Sequence, residues 1–566
     1  MSPRSHAPFA VSTRLLALIA LGLFTACCGK QTAQGPAAAK PVAPVAGSAT
    51  ARPAGVSLYK LPHVTLVAVT DWQTTLKPCG CTVDLQKGGV ERIAKYLADL
   101  RKEDNSLLVV HAGSLFADDD KQSQAGREVQ NGLKRQTFAK ALEQLGVSAA
   151  VLSSHDLEHG GDAVRSAWST APWPILSAGW SGDIAATKAH AIHKTASGIA
   201  VGLIGIDPKA GDADAVNKLV AAEVTAVRKE GAQVVVVLSN LGLRASRKLA
   251  RAVPGIDSIV VGALDERIEP VMDAELEGQT LLVHATRHGA YFSAATLVPE
   301  AKPEAASGAG TVWQDASAYL PGAAAELQAR KEALVKHMEE AAKRGLVATQ
   351  KAMPMYQQML TDMDKRIAAA TAATGKPLPA GALVAYRTVG LDWSSPVDEV
   401  IAALVQKYDA EVGKLNEAGF ATPVAPKDGV ASYVGQAACV SCHTAVKPWA
   451  DKDLHSHAWA TLEKVSKTKD LDCVPCHVTG WQQPGGSAFG NLDTFSNVQC
   501  EACHGPGSLH IGAPGKGADS KLQAVTAAQC STCHTPEHSS RFAFDEYKKR
   551  ILAPGHGLPL AGSGAP

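Results

Sequence analysis

From residue 64 to about residue 297, short uninterrupted apolar runs recur with helical stretches between them, at 64–69, 107–111, 200–206, 234–239, 256–261 and 281–284. Runs of Val, Leu and Ile without polar alternation predict strands buried on both faces. Their alternation with helices predicts an α/β layered fold with a substantial core. Beyond an Ala/Pro/Gly stretch at 301–310 the period becomes helical. Leu327, Leu334 and Met338 mark one apolar stripe, and Tyr356, Leu360, Met363 and Ile367 mark a second, punctuated by Pro354 and Gly375. A third stripe runs through Val397, Ile401, Leu404, Tyr408, Val412 and Leu415, with Ser395 as the expected N-cap and Pro396 at the first helical position. These amphipathic helices, with His337 a packing or surface group, are read as a packing connector. From 433 to about 557, Gly, Pro and His are frequent and apolar runs few, so side chains alone make only a thin core.

That last region carries four copies of Cys-x-x-Cys-His: Cys439–Cys442–His443, Cys473–Cys476–His477, Cys500–Cys503–His504 and Cys530–Cys533–His534. With 12 Cys and 19 His in 566 residues, chance predicts about 0.01 such motifs. The spacing is that of covalent haem attachment, in which two thiols bond the vinyl groups of one porphyrin and the adjoining His is placed under the iron. Zinc ribbons or disulfides are the alternative for Cys pairs, but neither requires a His fixed directly after the second Cys. Four covalently bound haem c groups are expected, with His443, His477, His504 and His534 as proximal ligands. The porphyrins also supply the apolar surface that the side chains lack.

Attachment of this kind occurs outside the cytoplasm, and the N-terminus agrees. Arg4 and Arg14 precede an apolar run over 15–24, too short to span a bilayer, followed by Cys27 and Cys28. Residues 24–27, Phe-Thr-Ala-Cys, resemble a bacterial lipobox, with Cys27 the expected site of lipid attachment. An ordinary secreted protein is the alternative. Residues 29–55, rich in Ala, Pro and Gly, read as a tether. Lys+Arg 55 against Asp+Glu 54 gives no excess of cations, so no nucleic-acid partner is expected.

Several segments of residues 56–300 resemble the calcineurin-like metallophosphoesterases of the secreted 5′-nucleotidase and SoxB branch: Val69-Thr70-Asp71, the run 108–114 ending in Gly113-Ser114, the run 152–160 around His155, Val237-Leu238-Ser239-Asn240 and the run 256–263. The resemblance implies the family's layered sandwich, and the family's chemistry implies two metal ions sharing a bridging carboxylate. The positions that would bind them have changed. Asp71-Trp72-Gln73 stands for Asp-x-His, Ser114 for the bridging Asp, Ser154 for the Asn before His155, Asn240 for a later His, and Gly262-Ala263-Leu264-Asp265 for Gly-His-x-His. No dinuclear metal centre is therefore expected, although Asp71, His155 and Asp265 could hold one weak ion. Lys77-Pro78-Cys79-Gly80-Cys81, with Gly88-Gly89 and Arg92 after it, resembles a pattern of nucleotidase-like proteins fused to multihaem cytochromes. Cys79 and Cys81 are candidate catalytic residues, as a redox or soft-metal site, or else a disulfide or two inert thiols.

The surroundings of the four motifs resemble the cytochrome c-554 family: Tyr433-Val434-Gly435, Trp449, the run 455–459, Thr479-Gly480-Trp481 and the run 500–508. That resemblance implies stacked haems. It also marks His457, His510 and His556 as distal ligands, with His455 and His538 as surface residues or alternates. Three distal His for four irons leaves one iron open to a small nitrogen or sulfur ligand.

The expected organisation is a multidomain chain. Residues 1–28 are a lipoprotein-type signal peptide, 29–55 a tether, 56–300 an α/β metallophosphoesterase-like layered sandwich, 301–425 an α-helical connector, and 430–566 a haem-packed, mostly helical or irregular tetrahaem module. The expected function is electron transfer with redox partner proteins, in the periplasm or at the outer cell surface of a bacterial membrane. The rivals are an oxidoreductase using the open haem or the Cys79/Cys81 pair, and a metal-dependent 5′-nucleotidase-type hydrolase.

Overall fold

The computed structural model describes residues 56–78, 87–117, 127–182, 184, 186–263, 273–300, 311–343, 347–514, 522–535, 539 and 542–559. The signal peptide and tether, Cys27, Cys79, Cys81, Asp265 and His538 lie outside the described residues.

In chain order the strands are β1 (Val64–Thr70), β2 (Leu107–Ala112), β3 (Val147–Val151), β4 (Ile175–Leu176), β5 (Thr187–Lys188), β6 (His190–Lys194), β7 (Ala200–Ile206), β8 (Val234–Ser239), β9 (Ser258–Val261), β10 (Glu275–Glu277), β11 (Thr280–His284), β12 (Tyr291–Val298), β13 (Trp313–Asp315) and β14 (Ala382–Gly390). They form one sheet in the order β13-β14-β12-β1-β2-β3-β4-β5 and a second in the order β10-β11-β9-β8-β7-β6. The helices flanking them are α1 (Val90–Glu103), α2 (Glu128–Leu145), α3 (Ser154–His159), α4 (Gly161–Ser169), α5 (Ala213–Lys229), α6 (Gly242–Ala252), α7 (Ala323–Lys343), α8 (Val347–Ala373) and α9 (Glu399–Gly419).

The two sheets lie face to face between two helical layers. Alternate residues of β1 point to opposite sides, as a strand requires. Leu66 and Ala68 meet Val201, Leu203, Val234 and Val236 of the second sheet. Val67 and Val69 meet Ile93, Leu97, Phe138, Leu142, Ile401 and Val405 from α1, α2 and α9. On the far side, Val216, Val220, Val224 and Val227 recur along α5 at helical spacing and cover Val235, Val237 and Ile259. Each such side chain contributes about 1.5–3 kcal/mol on burial, so the strand order is fixed by its apolar faces.

The segment expected to be a helical connector is more than that. Its residues 382–390 form β14, which pairs antiparallel with β12 from Tyr291↔Gly390 to Val298↔Leu383, and β13 adds in parallel outside it. A helical period dominates the segment because α7, α8 and α9 are long, and it hides a short run, Leu383-Val384-Ala385, buried in the sheet. The apolar stripe of α9, Ile401, Val405, Tyr408 and Val412, belongs to the same core as α1 and α2. Its N-cap is Asp398, whose carboxylate accepts from the N–H groups of Val400 and Ile401, not Ser395. Pro354 lies inside α8 rather than at its end.

The C-terminal region, by contrast, is built mainly of helical turns of three to eight residues. Its apolar cluster is only Leu462, Val474 and Val478, with Trp459, Trp481, Phe489 and Leu492 packed against it. Among the described residues no helix is long and apolar enough to cross a membrane.

Candidate haem-binding site

The third motif lies within a short helical turn, Cys500–His504, the second enters one at Val474–His477, and the first and fourth run out of turns over Gln436–Val440 and Ala527–Ser531, with the N–H of His443 and of His534 bonded back to the carbonyl of Cys439 and of Cys530. A turn of helix brings residues three and four apart to one side, which aligns both thiols of a motif with its His. All eight thiols are free of disulfides. The thiol of Cys439 in the first motif lies beside that of Cys500 in the third, and the thiol of Cys476 in the second beside that of Cys533 in the fourth. The motifs therefore adjoin in two pairs, first with third and second with fourth.

Three of the motif histidines face another imidazole. The ring centroids of His443 and His510 are 6.3 Å apart, those of His504 and His556 6.2 Å, and those of His534 and His455 6.1 Å. Two imidazoles bonded at about 2 Å on opposite sides of one metal have centroids roughly 6 Å apart. In three of these six rings Nδ1 has an oxygen partner. His556 Nδ1 donates to the Ile551 carbonyl at 2.7 Å, His455 Nδ1 to Asp453 at 2.8 Å, and His534 Nδ1 lies 3.0 Å from the Ser539 hydroxyl. Such partners fix the tautomer and leave Nε2 for the metal. Burial holds His477, His504 and His534 below the usual imidazole pKa, in the neutral form that ligates.

His457, expected as a distal ligand, is not placed for that role. Its Nε2 donates to the Asp451 carbonyl at 3.1 Å and the residue is exposed, so the nitrogen needed for iron is spent on backbone. His455, two residues earlier on the same 3-10 turn, faces His534 instead. The signal that could have identified it is Asp453, the adjacent carboxylate that orients Nδ1. His477 donates from Nδ1 to the Ala458 carbonyl at 2.7 Å, and among the described residues no second imidazole stacks or faces it.

The residues present fit haem c. Each motif offers two thiols and one imidazole on one side, and three have a second imidazole at the separation an iron demands. The surrounding apolar surface fits as well: Leu454 is 85% exposed, and Ile511, Leu522 and Leu558 are exposed too, while the region's own core is small. A porphyrin face is the kind of partner such residues need.

A second constellation lies at the carboxyl ends of the strands in the α/β region. Asp71 follows β1, and its carboxylate accepts from the backbone N–H groups of Ser114 at 3.0 Å and Ala263 at 3.2 Å. Asn240 follows β8; its oxygen accepts from the Gly113 N–H at 2.6 Å, and its amide donates to Asp207 at 3.0 Å and to the Leu152 carbonyl at 3.2 Å. The Ser114 hydroxyl and His155 Nδ1 are 2.8 Å apart. These side chains bond to one another and to the backbone. A Cβ at Gly113 would stand 2.1 Å from the Asp71 carboxylate, so the strand ends are pressed together.

Asp156 is structural: it accepts from the N–H groups of Leu115, Phe116 and Ala117 and from the Trp168 indole. Burial pushes its pKa up to about 6 against those four donors. His111 is likewise a core residue, driven down to about 3 by burial and therefore neutral. Among the described residues no group of three or more His, Cys, Asp or Glu could hold a metal ion.

Residues 438–505 match the sequence profile of the family described as cytochrome c554 and c-prime. Cytochrome c-554 of Nitrosomonas europaea is 35% identical over 94 residues, 14% of this chain and 40% of that protein. Among solved structures, a 5′-nucleotidase precursor from Thermus thermophilus is 16% identical with a TM-score of 0.40, covering 66% of this chain and 63% of its own. The sulfate thiohydrolase SoxB of the same organism is 14% identical with a TM-score of 0.36, covering 64% and 62%. The calcineurin-like phosphoesterase YfkN of Bacillus subtilis is 19% identical with a TM-score of 0.34, covering 44% and 87%. The chain thus spans about 40% of the curated relative's length and about 63% of the nucleotidase's. The C-terminal region is similar in sequence to cytochromes c554, which implies covalent haem c, and the N-terminal region has 5′-nucleotidase-like and SoxB-like structural neighbours.

Proposed function

We propose that this protein is a membrane-tethered, periplasmic tetrahaem cytochrome that carries electrons between redox partner proteins, and that its phosphoesterase-like region binds or scaffolds without hydrolysing. The observation that carries the reading is the set of three facing imidazole pairs, each joining a motif His to a His outside the motifs. On this reading His443 with His510, His504 with His556, and His534 with His455 would hold three of the irons, while Cys439, Cys442, Cys473, Cys476, Cys500, Cys503, Cys530 and Cys533 would make the thioethers. When bound, haem supplies a one-electron iron couple. The chain's part is to fix the imidazoles through their Nδ1 partners and to bring the motifs together in pairs, close enough for electrons to pass between neighbours. The tether rests on the sequence around Cys27.

His477 favours a second reading. With one imidazole and none opposite among the described residues, it supports an iron open to nitric oxide, nitrite or peroxide, and so an oxidoreductase acting on a small nitrogen compound. Cys79 and Cys81 would offer thiols for a sulfur compound. Hydrolysis of phosphate esters is disfavoured, because Ser114 stands where the resembling family has its bridging Asp and the described strand-end side chains bond to one another and to the backbone.

The test is the intact mass of the mature chain, made in a host competent in cytochrome maturation, together with titration of the reduced protein by nitric oxide. The added mass of four haems and one nitric oxide bound per chain are expected. A colourless chain of bare polypeptide mass refutes the proposal, and four nitric oxide sites refute the assignment of distal ligands.

A further inference from the structure

The turn that leads into the second motif is gripped by the phosphoesterase-like region. Gln130 on α2 is 1% exposed; it donates to Asp470 at 2.7 Å and accepts from the Leu471 N–H at 3.0 Å. Asn416 on α9 donates to Gln130 at 2.7 Å and to the Lys469 carbonyl at 2.9 Å. Asp472, the residue before Cys473, is paired with two cations of that region, Lys134 at 2.8 Å and Arg127 at 3.3 Å, and all three side chains are at most 16% exposed. Rim pairs are screened by water and salt, whereas a pair this covered acts on its surroundings through a low-dielectric medium. What stands next in the chain is a haem-attachment cysteine.

We infer that Lys134 and Arg127 are positioning residues that, with Asp472, set the reduction potential of the haem attached at Cys473 and Cys476. A cation beside a haem disfavours the ferric state, which carries one more positive charge than the ferrous, and so raises the potential. The phosphoesterase-like region thereby tunes one haem of four, which gives a redox role to a fold that lacks its metal ligands. The inference rests on the proposed attachment of haem to the second motif, and does not depend on whether that iron is open.

The experiment is a spectroelectrochemical titration of the haem-loaded full chain. Lys134→Met is expected to lower one midpoint, shifting the reduced-to-oxidised ratio of that haem about tenfold at fixed potential, or roughly 59 mV for a one-electron couple. The affected midpoint should be the one lost or displaced in His477→Met. Asp472→Asn is expected to move it the opposite way, Lys134→Arg to leave it in place, and Lys218→Met on the outer face of α5 to move none. Unchanged midpoints in both Lys134→Met and Asp472→Asn, an equal shift at all haems, or a shift at a different haem overturns the inference. So does a Lys134→Arg shift as large as that of Lys134→Met, which would mean packing rather than charge. If Lys134→Met yields no loaded protein, the sign of the Asp472→Asn shift decides alone. A chain whose mass shows no haem at Cys473 and Cys476 overturns the attachment reading and the inference together, whereas a spin-state spectrum that shows a closed second iron overturns only the open-haem reading.

Discussion

Replacing His455 by Leu separates the two neighbouring histidines that the 3-10 turn over Leu454–His457 presents. The His455 and His534 rings are 6.1 Å apart and perpendicular at 89°, and Asp453 holds the His455 Nδ1 at 2.8 Å. Removing that imidazole takes away one face of one iron, so the number of open irons per chain is expected to rise from one to two. Carbon monoxide binding to the reduced protein reads this directly: the fraction of total haem that responds should double in His455→Leu and stay at the wild-type value in His457→Leu. Asp453→Ala keeps the imidazole but loses its orienting carboxylate, which typically costs about 10- to 100-fold in ligand affinity. Partial carbon monoxide binding at that haem, intermediate between wild type and His455→Leu, is the expected outcome. The assignment is refuted if His457→Leu opens a haem and His455→Leu does not.

Three other outcomes follow from the α/β region. His63 donates from Nε2 to Asp104 at 2.8 Å and from Nδ1 to the Leu61 carbonyl at 2.6 Å, an arrangement that calls for the imidazolium. Burial alone would lower the His63 pKa, but these bonds and the Asp104 charge outweigh it and raise it above 6.5; burial likewise opposes the lowering of Asp104 below 3.8, which the bonds from His63, Thr65 and Ser106 achieve. The His63 contribution is complete below 6.5 and fades as pH rises through its raised folded pKa. The Asp104 contribution is complete above 3.8 and fades as pH falls through its lowered one. Asp104→Asn should therefore cost most between those limits, about 3 kcal/mol by denaturant unfolding, with a smaller difference at alkaline pH. Asp156→Asn turns a donor amide toward N–H groups that now have a carboxylate, and a loss of about 1–3 kcal/mol in unfolding free energy is expected; an unchanged midpoint would contradict its placement as a structural acceptor. With added manganese, turnover of nucleoside monophosphates should not exceed that of a Ser114→Ala variant, and metal-dependent release of phosphate would restore the hydrolase reading.

The parts of the fold that were legible in the sequence are those whose apolar faces are unambiguous. The run at 200–206 and the run at 234–239 coincide with β7 and β8, because both faces of these strands are buried and no polar residue interrupts them. β5, β6 and β10 leave little trace because their side chains are polar or half-exposed, and β14 leaves little because only its first four residues form a buried apolar run, set between long helices. The attachment motifs are a local pattern and needed no fold. Ligand choice is different: His455 and His457 are equivalent as letters, and what separates them is which ring nitrogen a neighbouring oxygen takes, a matter of three-dimensional placement. The buried polar contacts of Gln130 and Asn416 left no periodic trace either, since each joins residues more than fifty positions apart.

Because β14 is laid down beside β12 long after the rest of its sheet has been made, the α/β body has no finished edge until the polypeptide has emerged to about residue 390, and no cover for α1 and α2 until α9 follows. A fragment ending at Glu300 would keep β12 paired with β1 but bare its other edge along its whole length, the kind of margin that sticks to other chains. Anyone wishing to cut the molecule in two should do so past Gly419, in the stretch before Ser432, where α9 is complete and all eight motif thiols still lie ahead.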